Sequence, residues 1–214
     1  MKNEGKRTNA EMPSDVTSDS RGNNEGQLIN DLRTAGINVS SVWDLVNTNA
    51  RYPEAISTLL NHLNRDYNIR IKEGIVRALA VKEAKCVACK ELLIEYNNRP
   101  VEDSGYRWAI GSTMLVVITK NEMDAVIDIV LDKKNGTSRQ MFVLALAKIY
   151  NPKIEDVLIS LLDDEDVVGH AISVLGKKKS IKAKSKIESL LSSKRSFIRS
   201  EAKKALERIN REKK

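Results

Sequence analysis

A pair of adjacent apolar residues returns five times along the chain, at Leu59-Leu60, Leu92-Leu93, Val130-Leu131, Leu161-Leu162 and Leu190-Leu191. The intervals are 33, 38, 31 and 29 residues. Three residues before each pair stands another core-type residue: Ile56, Cys89, Ile127, Leu158 and Ile187. Spacing of i, i+3, i+4 marks one face of an amphipathic helix. A second pattern follows each copy and aligns on Ile71, Tyr106, Ser138, Val167 and Ile198. Four residues on come Ile75, Ile110, Phe142, Ala171 and Ala202, and eight residues on come Leu79, Met114, Leu146, Leu175 and Leu206. No single helical hairpin of this kind buries its own apolar stripe. Stacked side by side, such hairpins make one continuous core.

Local signals place the helix ends. Asn68, Asp103, Asn135 and Asp164 stand three residues before the alignment points, where side-chain oxygens cap helices or form turns. Pro53 and Pro152 mark helix starts, because a first-turn proline loses no helical hydrogen bond. Five helix-turn-helix units are therefore expected between Tyr52 and Ile209. Ahead of them, Leu28, Ile29 and Leu32 predict a short helix ended by Gly36, and Ser40 or Ser41 caps another over Val42–Val46. Residues 27–51 then cover the N-terminal end of the stack. Residues 1–26 are rich in Asn, Ser, Glu and Gly and read as a disordered polar tail.

Composition agrees with an all-α chain. Aromatics are only 4%, with 10 Gly and 4 Pro in 214 residues, too few turn-formers for a β-sandwich or barrel. No stretch of 18 apolar residues occurs, so no membrane span is expected. Two cysteines and a polar N-terminus without an apolar leader point to a cytoplasmic protein with reduced thiols. The net charge of +7 is unevenly held: residues 177–214 carry 15 Lys and Arg against 4 Asp and Glu, and the rest of the chain is net negative. A basic end of this kind is either a solvated helix face or a contact for phosphate-rich partners.

An Asp or Asn, then an apolar residue followed by Arg, then Ala, then Ala-Leu, resembles the second helix of HEAT repeats. The fullest copy runs from Ile198 through Arg199, Ala202 and Ala205-Leu206 to Ile209. Units of 29–35 residues are similar to the short HEAT-like repeats of phycobilisome-lyase-type proteins. The resemblance implies a right-handed α-solenoid of about five helical hairpins, with second helices lining a concave binding face. Val168 stands where Lys72, Arg107, Arg139 and Arg199 stand in the other units, so an Asp–Arg ladder is expected to break there.

Candidate sites were weighed on the same alignment. Cys86 and Cys89 form a C-x-x-C, but Cys89 falls in a core column, and a zinc site would need ligands the chain does not place nearby. His62 and His170 lie in different units with no third group to complete a triad. No phosphate loop, dinucleotide fingerprint, nucleophile elbow or zinc-protease motif occurs. No catalytic residue, metal or cofactor is therefore expected, and Asp163-Asp164 reads as a helix-junction pair.

The expected binding face comes from positions two and six residues past the alignment points, which turn away from the core. Its centre is Trp108 with the neighbouring Arg107, then Gln140 and Leu144, with Arg77 to one side. Tryptophan and arginine are the side chains that most often dominate protein interfaces. Trp108 packed between helices is the competing reading. Partner binding without catalysis is the first expectation. Nucleic-acid binding is the second, because the resemblance extends to HEAT-like DNA glycosylases with a basic concave face. Lys177, Lys178, Lys179, Lys182, Lys184, Lys186, Lys194, Arg195, Lys203 and Lys204 would then meet phosphates. A bilin-lyase-like subunit is a third reading, implied by the resemblance alone.

Overall fold

In the computed structural model, residues 25–211 are described. Helix α1 covers Gly26–Thr34 and buries Leu28, Ile29 and Leu32. It ends where Gly36 takes φ +84°, a left-handed conformation that costs glycine least. Helix α2, Val42–Val46, begins at Ser41, which forms a reciprocal capping box with Asp44. The Glu25 carboxylate adds to this cap by accepting from the Ser41 hydroxyl and the Val42 amide. Glu25 and Gly26, expected within the polar tail, are thus part of this cap and of α1. The tail's first 24 residues lie outside the described ones.

Five helical pairs follow. They are α3 (Ala55–Leu63) with α4 (Ile69–Ala78), α5 (Cys89–Asn97) with α6 (Ser104–Val117), and α7 (Met123–Leu131) with α8 (Gln140–Ala145). The last two are α9 (Pro152–Ser160) with α10 (Val168–Lys177), and α11 (Lys184–Ser189) with α12 (Ser196–Asn210). Partners pack within each pair, and α2, α4, α6, α8, α10 and α12 pack each on the next as one row. No strand occurs among the described residues. Asn68 caps α4 by accepting from the Ile71 amide, and Pro152 occupies the first turn of α9 behind Asn151. The third pair departs from a plain hairpin. Gly136, at φ +53°, breaks the segment before α8 into 3-10 turns, and α8 itself is short.

The repeated columns form the core. Ile56, Cys89, Ile127, Leu158 and Ile187 are all buried, as are Ile75, Ile110, Phe142, Ala171 and Ala202. Each large aliphatic residue so placed contributes about 1.5–3 kcal/mol. Most doublets divide: Leu59, Leu92 and Val130 are buried and Leu131 and Leu191 reach solvent, whereas Leu161 and Leu162 are both buried. Adjacent helical residues point about 100° apart, so one stripe seldom buries both. Close approach sets the last seam. A Cβ on Gly176 would lie 2.7 Å from the Ala205 backbone, and one on Gly169 would strike Phe197.

Polar ties cross the pairs as well. Arg139, fully buried, donates to Asp164 of the next pair at 2.9 and 3.1 Å, and to the Gly136 and Val130 carbonyls. Arg107 donates to Asn135 at 2.7 Å and lies 4.0 Å over the Tyr96 ring. Lys72 is buried against Glu95, which also accepts from Arg99 and Tyr106. Burial lowers the Lys72 pKa, and Glu95 opposes that effect. At Val168 the ladder stops: the next capping position holds Arg195, which donates instead to the Glu165 carbonyl.

Candidate protein-binding face

The row of second helices brings together most of the residues expected on the binding face. Glu73 and Arg77 on α4, Trp108 and Ser112 on α6, and Gln140 and Leu144 on α8 are all half-buried. They follow from helix geometry: residues four apart stack on one side, while the core takes the opposite stripe. Arg77 is held by Glu73 at 2.7 Å, one turn back on the same helix. Gln140 donates to the Asp166 carbonyl at 2.9 Å, which ties the face to the next pair. Leu144 rests on the core, and Trp108 keeps part of its surface open.

Arg107 is a correction. It was expected beside Trp108 on the face, but it is 4% exposed and serves the ladder through Asn135 and Tyr96. One residue along a helix turns the side chain about 100°, enough to move it from the face into the seam. Further along the row the face changes character. Gly169 is buried under Phe197, whose ring is itself about half exposed. Phe197 supplies a second exposed aromatic that the alignment columns did not place there. Its signal was the small residue at Gly169, which leaves room for a neighbour's ring.

At its α4–α6 end the face opens into a cleft of about 560 Å³. One wall is the loop between α2 and α3, from Thr48 to Tyr52. Another is the end of α4 with the turn that follows it, Ala80–Glu83, and the floor is Ser112, Thr113 and Val116 of α6. Arg51, Arg77 and Lys82 bring positive charge to it. Glu83 lies 2.6 Å from Arg51. Its carboxyl is held below the usual range, first by its own backbone amide and then by Arg51. None of the cleft's loop residues was singled out from the sequence, because the three walls come from segments some 30 residues apart.

The basic end is less free than its charge count implies. Lys182 pairs with Asp156, Lys186 with Asp163 at 2.6 Å, and Lys204 with Glu201 at 2.9 Å. Lys178 and Lys179 donate to the Ile149 and Arg211 carbonyls, and Arg195 to that of Glu165. Lys177, Lys184, Lys194 and Lys203 meet no side-chain partner among the described residues.

The two histidines and the cysteine pair each sit in separate surroundings. His62 is buried between the Tyr67 hydroxyl at 2.7 Å and Asp31 at 2.8 Å, a tie from α3 to α1. His170 is half-buried, and burial lowers its pKa against the pull of Glu201. The Cys89 thiol donates to the Val117 carbonyl at 3.1 Å, and burial first, then Glu122, push its pKa up to about 11. A thiol so raised is a poor nucleophile near neutrality. Cys86 is exposed, with a left-handed φ of 73°. No group of three potential metal ligands converges among the described residues, and no helix there is long and apolar enough to cross a membrane.

A protein-family model described as HEAT repeats matches residues 123–207. That span runs from the start of α7 into α12 and contains the Arg139–Asp164 tie. It supports a HEAT-repeat assignment, and the all-helical stacking along the row of second helices is consistent with an α-solenoid. Comparison with curated proteins and with solved structures returned no match.

Proposed function

We propose that this chain is a non-catalytic adaptor or inhibitor that binds a partner protein on its second-helix row. In this reading all five pairs are HEAT-like, wound right-handed with the row on the concave side, and α1–α2 cap one end. HEAT repeats commonly mediate protein interaction, and the observation that carries the reading here is the row itself. Trp108, Gln140 and Leu144 stand half-exposed on the side of the row opposite the buried stripe of Ile110 and Phe142. A single anchor aromatic at such a place is worth about 2 kcal/mol or more, close to thirtyfold in affinity.

The test is affinity capture from the native source with nuclease-treated extract, using the full chain and its Trp108→Ala variant. The expected result is a protein partner held by the wild type and lost by the variant, with circular dichroism unchanged. Loss of helicity in Trp108→Ala would place Trp108 in the core and refute the face. Nucleic-acid binding is favoured by one observation, the unpaired Lys177, Lys184, Lys194 and Lys203. That reading predicts capture of nuclease-sensitive material, independent of Trp108 and falling steeply between about 50 and 200 mM salt.

A further inference from the structure

We propose that the cleft between the α2–α3 loop, the end of α4 and α6 seats an acidic peptide segment, with an aliphatic side chain lodged between its carboxylates. The proposal rests on the protein-binding reading above and names the chemistry of the partner at one end of the face.

Charge selects the sign of the occupant. Three cations, Arg51, Arg77 and Lys82, line the cleft against one carboxylate, Glu83. Glu83 pairs with Arg51, and Glu73 of the same helix pairs with Arg77, so one positive charge is left over, and carboxylates of a partner would meet it together with the donors that the two guanidinium groups still hold free. The donors have capacity to spare. Arg77 gives Nε and Nη2 to Glu73, which leaves Nη1. Arg51 gives Nε to Glu83, which leaves both terminal nitrogens, and its side chain is 81% exposed. Lys82 is exposed and makes no hydrogen bond or close ion pair among the described residues; its charge acts on Glu83 only as a minor contribution to lowering that carboxyl. A guanidinium held from behind by a carboxylate is aimed before the ligand arrives, so less side-chain entropy is lost on binding.

The remaining surface selects the kind of occupant. Val46, Val81 and Val116 line the same cleft and are half-buried, so an aliphatic group entering it meets apolar side chains from three different segments. A phosphodiester backbone has nothing apolar to place there, whereas a peptide with aliphatic residues flanked by acidic ones has both parts. The volume of about 560 Å³ is within the range of sites that enclose a few residues or a small ligand. Trp108 lies one helical turn from Ser112 of the cleft floor, so a peptide leaving the cleft along α6 reaches the centre of the face.

Fluorescence anisotropy with a labelled, end-blocked peptide Glu-Asp-Leu-Leu-Asp-Glu tests this on the full chain. Its Gln/Asn counterpart and an oligouridylate serve as comparison probes. The acidic peptide is expected to bind saturably, and the amide counterpart at least about tenfold more weakly, since each charge-assisted hydrogen bond is worth more than that factor. Arg51→Gln combined with Lys82→Gln is expected to cost about tenfold as well. Both residues are exposed, so the fold is not at risk. Lys203→Gln with Lys204→Gln is expected to change nothing. Absence of saturable binding, equal affinity for the amide peptide, indifference to the Arg51 and Lys82 changes, or displacement by oligouridylate would each overturn the proposal. Failure of the peptide while capture still depends on Trp108 sinks the cleft and leaves the face. Peptide binding with capture indifferent to Trp108 does the reverse.

Discussion

Replacing Arg139 by methionine keeps most of the side-chain volume and removes the charge. Arg139 is fully buried and its partner Asp164 is 7% exposed. The change strands that carboxylate and leaves the Gly136 and Val130 carbonyls short of a donor. Breaking a buried pair in this way costs about 3–5 kcal/mol, because the surviving charge has lost its compensation. With a urea m-value of about 1–3 kcal/mol/M, the unfolding midpoint should fall by about 1–5 M. The pH dependence carries a sign. In the wild type, burial pushes the Asp164 carboxyl up, and Arg139 outweighs it and holds the group below the usual range. That contribution is present above the ordinary aspartate value of about 3.9 and is lost as pH falls through the lower folded value. Without Arg139, burial remains and raises the carboxyl, so the variant should suffer most at neutral pH and recover relative to wild type on acidification. The assay is urea unfolding followed by circular dichroism at several pH values, alongside Lys153→Met at the exposed Lys153–Asp124 pair. Adding Asp164→Asn to Arg139→Met should restore part of the loss. An Arg139→Met shift no larger than that of Lys153→Met, or no recovery in the double variant, would refute the argument.

The glycines separate by neighbourhood. Gly176→Ala pushes a methyl to 2.7 Å from the Ala205 backbone and should cost about 1–3 kcal/mol in a thermal melt. Gly105→Ala meets nothing within 4 Å in the first turn of α6 and should be neutral or stabilising by up to about 1 kcal/mol. The cysteines should likewise part company: a thiol reagent near pH 8 is expected to modify Cys86 in the folded chain and Cys89 only after unfolding. Rapid modification of both in the native state would contradict the burial of Cys89.

How much of this was legible in advance depends on how far the cause lies along the chain. The columns through Ile75 and Leu79 were readable because helix periodicity is local, and so were the caps at Ser41 and Asn68. The break of the ladder at Val168 was readable for the same reason: one wrong residue type in a repeating column. Arg107 was misplaced because its true partners, Asn135 and Tyr96, belong to a seam that no single helix defines. The basic end looked free because Asp156 and Asp163, which neutralise Lys182 and Lys186, stand more than twenty residues upstream. The cleft could not be read at all, since each wall is unremarkable until the fold sets three of them together.

The broken ladder bears on how such an array could gain or lose members. Arg107 and Arg139 each reach forward to the capping position of the following hairpin, so these hairpins are compatible only with certain successors. Excising α7–α8 would set Arg107 against Asp164, a workable match in place of Asn135. Excising α9–α10 would instead set Arg139 against Arg195, burying one guanidinium opposite another. The modules look alike in their apolar columns, yet they are not exchangeable, and the order in which they can stand is constrained by Arg107, Arg139 and the capping residues they meet.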